Sequence, residues 1–287
     1  MFTPDQERYI ASIEEIHEYP HTSGENIIPE VQLFSKNLEI FVFGKTFNYK
    51  LDIKDNQFLI NFLRQKMIKN LFVPDCSSFT GLLCEGIDFP YEHHPGDLKI
   101  ITGAKTEGIV VPVGGAILFK TADCYTVTYH DIKNDKVITV HAGLKSIIDK
   151  QKIITGVESR PHESVVDDMA RYMKETDHYE IFLNGGIGFQ SFIYNTNDPV
   201  YGETNKKILS YLIDKYGKGA VPLGIKHGGI SMKYIIRQQF ISYGIDPELI
   251  RDDGIDTYSD PKFFSHYRAK EMGWNDGGRN GILVIHK

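Results

Sequence analysis

The chain has 287 residues, 41% of them hydrophobic and 24% charged, enough to bury a core in one large domain or two smaller ones. Its formal net charge of −6 argues against a broad surface for nucleic acid or anionic membrane, and no run reaches the ~20 apolar residues that span a bilayer. The acidic N-terminus lacks signal-peptide regions, and three cysteines (Cys76, Cys84, Cys124) do not make a disulfide framework, so the cytoplasm is the expected compartment.

In chain order, Ile10, Ile13 and Ile16 predict a helix over 4–18, followed by a loop broken at Gly24 and Pro29. A hairpin is expected from 38–43 and 47–53 across Gly44-Lys45, then a helix from an Asp55 cap to about residue 70. Pro and Gly punctuate 71–97, where Glu92-His93-His94 is the one cluster with chemical potential. Beyond it, strands are expected at 98–102, 108–112, 115–130, 136–141, 179–184, 220–226 and 281–286. Helices are expected at 162–175, 201–216 and 231–243, with Gly217 and Gly244 ending the last two. Hairpins followed by strand–helix alternation predict an α/β domain over 71–287, a mixed sheet covered by helices. Residues 1–70 are read as a helix-and-hairpin elaboration packed on it.

The chemistry centres on Thr121-Ala122-Asp123-Cys124 and Val140-His141-Ala142-Gly143. They lie on two β-rich runs joined by a polar loop at 131–135, so a hairpin would bring Cys124 and His141 together. On residues alone, such a pair is more often core than site. As a site, it either binds a metal or makes a thiolate nucleophile, with Asp123 or Asp131 to orient the imidazole. Cys76 and Cys84 are too far apart for a zinc knuckle and read as structural thiols.

Over about 97–286 these pieces resemble the laccase-domain family, also described as multifunctional purine-nucleoside enzymes and peptidoglycan-editing factors. The resemblance rests on Thr121-Ala122-Asp123-Cys124, His141-Ala142-Gly143, Asn184-Gly185-Gly186-Ile187-Gly188, Phe263-Phe264-Ser265-His266-Tyr267-Arg268 and Gly278-Arg279. It marks the chain as a divergent member. In Leu98-Lys99-Ile100-Ile101-Thr102-Gly103, Thr102 stands where the family has its first metal-binding His. Leu144-Lys145-Ser146 replaces Trp-Arg-Gly, and the cysteines of the glycine-rich element give way around Gln190-Ser191.

The resemblance implies a mixed-sheet layered sandwich of the laccase-domain and cytotoxic-necrotizing-factor-like type. It also implies phosphorolysis or deamination of adenosine- or inosine-type nucleosides at a zinc site on Cys124 and His141. His93 or His94 is the expected source of a third ligand. Lys145, Arg268, Arg279, Gly186 and Gly188 are the expected contacts to phosphate or substrate. Copper chemistry is not expected, because the His-rich clusters of a multi-copper site are missing. Two alternatives stand: a metal-free Cys124–His141 amidohydrolase or protein deamidase, and a degenerate member without catalysis.

Overall fold

The computed structural model describes residues 29–45, 53–76, 83–84, 89–173, 178–274 and 278–287. The helix expected at 4–18 and the strand at 47–53, up to residue 52, lie outside them. The first described strands are β1 (Val31–Ser35) and β2 (Leu38–Phe43), an antiparallel pair that turns at Lys36-Asn37. Helix α1 (Gln57–Gln65) follows, capped by Asn56, whose side chain accepts the Leu59 amide at 3.0 Å. After it come β3 (Asn70–Val73), β4 (Leu83–Cys84), β5 (Tyr91–His93), β6 (Lys99–Thr102) and β7 (Gly108–Val111).

Strands β8 (Gly115–Thr121), β9 (Tyr125–Asp131) and β10 (Lys136–Ala142) form the centre of the chain. Three short helices come next: α2 (Leu144–Ile147), α3 (Lys150–Thr155) and α4 (Val165–Ala170). The C-terminal part holds β11 (Tyr179–Asn184), α5 (Gly202–Tyr216), α6 (Gly224–His227), α7 (Met232–Ser242), β12 (Ile250–Asp252), α8 (His266–Glu271) and β13 (Asn280–His286).

These strands make two mixed sheets. One has the order β1-β2-β13-β8-β3-β6-β5, the other β12-β11-β9-β10-β7-β4. Side-chain alternation shows how they stack. Ile40 and Val42 of β2 and Ile282 and Val284 of β13 join Ile109, Val137 and Phe182 of the other sheet in one buried cluster. Phe41, Phe43, Leu283 and Ile285, on the opposite face of the same strands, pack with Leu59, Ile60 and Leu63 of α1. Val127, Tyr129 and Val140 turn outward from the second sheet to Met169, Leu209 and Ile236 on the helices. The result is a layered sandwich, helix on sheet on sheet on helices, as the resemblance implied. β9 is buried at every position because both its faces are covered.

Two expectations are corrected. The strand expected over 115–130 is two strands, because the chain leaves one sheet for the other at Ala122-Asp123-Cys124 and Asp123 adopts φ 83° there. The strand expected over 220–226 does not form. Its apolar residues Ala220 and Val221 are buried in the helical layer, while Pro222 and the positive φ of Gly224 (75°) turn the backbone into α6. The apolar content there reports core packing, not a sheet.

Candidate functional site

The hairpin of β9 and β10 sets the geometry. Its register pairs His141 with Thr126 and Ala142 with Tyr125, so Cys124 enters β9 beside the end of β10. The Cys124 thiol is hydrogen-bonded to His141. Gly143 keeps this corner open: a Cβ there would lie 2.8 Å from Cys124 Sγ and 3.4 Å from His141 Cε1. The sequence brought these two side chains within reach correctly.

It did not find their partners. Glu107 ends the segment leading into β7, which pairs with β10, and its carbonyl accepts the His141 amide at 2.6 Å. Its fully buried carboxylate meets His141 Nδ1 at 2.8 Å through Oε2, and the same oxygen accepts Ser146 Oγ at 3.0 Å. Oε1 is buried without a hydrogen-bond partner. Cys76, just past β3, completes the cluster: its Sγ, a Glu107 carboxylate oxygen and a His141 ring nitrogen all lie within 4.8 Å of one another. The orienting acid is therefore Glu107 and not Asp131, which sits at the far end of the hairpin and holds Asn134 with both carboxylate oxygens.

The electrostatics follow from this crowding. Burial disfavours a charged His141, yet the adjoining Cys124 and the Glu107 carboxylate outweigh it and push the imidazole up to about 10. Burial, reinforced by Glu107, Cys124 and Asp75, raises the Cys76 thiol well above its ordinary value. One carboxylate and two thiols thus converge on a single imidazole.

Other expected residues fall elsewhere. His94 is exposed, with Nε2 3.4 Å from Glu92, and the structure does not bring it to Cys124 and His141. Thr102 ends β6 opposite Val73 on β3, so the neighbouring parallel strand, and not β6, delivers a sulfur to the site. The Asp123 carboxylate faces the C-terminal segment, accepting Thr257 Oγ1 at 2.7 Å and the Tyr267 amide at 2.7 Å. Gly188 donates its amide to Asp256 at 2.9 Å, and the Gly186 carbonyl accepts the Thr257 amide at 2.9 Å. Arg268 is buried and spends its guanidinium on the carbonyls of Tyr258, Asp260 and Phe263. Arg279 donates to the Gly278 carbonyl at 2.8 Å. Lys145 is exposed on α2, lining a cleft of about 490 Å³ with Lys150 and Arg160.

Four of the five pieces that carry the resemblance pack together near Asp123. Ile187 donates its amide to the Asp123 carbonyl at 3.0 Å, Tyr267 donates to its carboxylate, and Phe264 lies over Gly278, where a Cβ would be 2.1 Å from the ring. This is the architecture of the family described as multi-copper polyphenol oxidoreductase laccase, whose model matches residues 104–285; the chain belongs to that family. Among solved structures, the chain is similar to the hypothetical protein YfiH of Bacillus licheniformis, at 16% identity and a TM-score of 0.58, over 87% of this chain and 93% of that one. It is also similar to YlmD of Geobacillus stearothermophilus, at 13% identity and a TM-score of 0.57, over 87% and 91% of the two chains. At such identities the likeness is one of fold. No curated protein matches the sequence. No helix among the described residues is long and apolar enough to cross a membrane.

Proposed function

We propose that this is a divergent purine-nucleoside enzyme of the cytoplasm, cleaving the glycosidic bond of adenosine or inosine with phosphate or deaminating the purine ring at a zinc site on Cys124 and His141. The observation that carries the reading is the buried Glu107 carboxylate, with Oε2 on His141 and Oε1 without a donor, in a cluster whose other atoms are sulfur and imidazole. Sulfur and imidazole donors suit zinc, and the nucleoside class is the one implied by the resemblance read from the sequence. Zinc bound there would act as a Lewis acid and lower the pKa of a coordinated water.

The chain's own groups have definite tasks. Glu107 accepts from Nδ1 and so presents Nε2 to the site, and Ser146 holds the same carboxylate oxygen in place. Lys145, which lines the cleft with Lys150, Arg160 and Asp149, is the contact proposed for phosphate. Protein purified without an affinity metal is expected to contain near-stoichiometric zinc by elemental mass spectrometry and to turn over adenosine or inosine. Cys124→Ala and His141→Ala should each lose both. Zinc-loaded protein that converts neither nucleoside would overturn the reading.

One observation favours a second reading. Glu107, His141 and Cys124 form a hydrogen-bonded acid–imidazole–thiol series, which is also the arrangement of a thiol amidohydrolase acting on a small amide or a protein side chain. Activity on an amide that survives exhaustive chelation and disappears in Cys124→Ala would select it.

A further inference from the structure

On the reading that this site holds a metal, we propose that Cys76 is its third protein ligand, making a centre of two thiolates and one imidazole, with Glu107 as a positioning residue on His141. The placement of four groups carries the inference. Cys76 leaves β3 at the end of the sheet where β8 also ends, so the two thiols approach His141 from consecutive parallel strands of one sheet. Its Sγ is within 4.8 Å of a His141 ring nitrogen, and Cys124 is hydrogen-bonded to the same imidazole. Nδ1 is committed to Glu107 at 2.8 Å, which leaves Nε2 as the nitrogen for a metal.

Glu107 is assigned the outer role because Oε2 already meets His141 Nδ1 and Ser146 Oγ, the pattern by which a carboxylate fixes the tautomer and orientation of a liganding imidazole. Three protein donors leave a fourth position of a tetrahedral ion for water or substrate. A set with two sulfurs favours zinc, cadmium or cobalt over magnesium or calcium, whose preferred ligands are oxygens. The proposal also accounts for Thr102: with a sulfur supplied by the neighbouring strand, β6 has no ligand to contribute.

The test is spectroscopic and needs no substrate. The full chain is loaded with Co²⁺, and the near-ultraviolet thiolate-to-cobalt absorption is recorded per bound cobalt for the parent protein, Cys76→Ser, Cys124→Ser and His94→Ala. Each Cys→Ser change is expected to remove about half of the band, and His94→Ala none of it. In chelator competition, Glu107→Gln should weaken zinc binding on the order of 10–100-fold while keeping the full band. A full band in Cys76→Ser, with loss confined to Cys124→Ser, overturns the proposal and leaves the metal reading intact. No thiolate band in the parent protein overturns both. Where Cys76→Ser fails to fold, zinc-dependent protection of Cys76 from alkylation in the unmutated chain, read by peptide mass spectrometry, decides the matter: unprotected Cys76 beside protected Cys124 refutes the assignment.

Discussion

Asp123 is held at φ 83°, a left-handed conformation that costs a residue with a Cβ about 1–2 kcal/mol. The hydrogen bonds from Thr257 and Tyr267 to its buried carboxylate offset that cost and fix the turn that aims Cys124 at His141. Gly186 has a different reason for its identity. It sits at φ 110°, and a Cβ there would lie 2.2 Å from the Tyr125 ring. Gly186→Ala is therefore expected to destabilise the protein by about 2–4 kcal/mol in urea unfolding, strain and overpacking together. Gly114→Ala, at φ 75° with nothing within 4 Å of the new Cβ, should cost only about 1–2 kcal/mol. Equal effects would show that conformation alone, and not contact with Tyr125, selects glycine at residue 186.

One carboxylate ties down the short helices that follow β10, the first of which supplies Ser146 to Glu107. Asp149 caps α3 by accepting the Lys152 amide at 3.1 Å, and it takes Ser159 through both its amide (2.8 Å) and its hydroxyl (2.7 Å). The next residue, Arg160, donates to the carbonyls of Lys145 and Ser146, so the clamp reaches the helix whose Ser146 supports Glu107. Asp149→Ala is expected to lower stability by about 1–2 kcal/mol, and Asp149→Asn by less because it keeps a cap acceptor. Thermal melts of the two variants make the comparison. Unlike most buried carboxylates, Asp149 titrates below its ordinary value: the hydrogen bonds from Ser159 and Lys152 outweigh burial. Its contribution is present above its unfolded pKa and fades as pH falls through the lowered folded one.

Across the whole molecule, the end of the sandwich opposite the site carries a second histidine centre. His130 is fully buried, with Nδ1 3.1 Å from Ser35 Oγ, and it joins β9 of one sheet to β1 of the other. Burial holds its imidazole below the ordinary 6.5, against the pull of Glu180, Asp135 and Asp131 and with the repulsion of His286. As pH falls through 6.5, the unfolded chain takes up a proton at this residue before the folded one, so folding stability must drop with acidification. His130→Gln is expected to flatten the loss of stability between pH 7 and pH 5 by at most about 1.4 kcal/mol per pH unit, the value for one proton. An unchanged slope in urea titrations at the two pH values would assign the acid sensitivity elsewhere.

How much of this was legible depends on the range over which each signal acts. The β9–β10 hairpin, and with it the meeting of Cys124 and His141, follows from local patterning: two β-rich runs and a short polar loop fix a register. The laccase-like sandwich was legible because short runs between Asp123 and Gly278 carry the family resemblance, and in the structure those runs pack on one another. Glu107 and Cys76 were not legible. They reach His141 from β7 and β3, and no local pattern encodes the pairing of β7 with β10 or the parallel alignment of β3 with β8. Local patterning was thus enough for the fold class and for the thiol–imidazole pair at its centre. Which acid orients that imidazole, and which second sulfur stands beside it, emerged only from the folded chain, because sheet order is set by packing between distant segments.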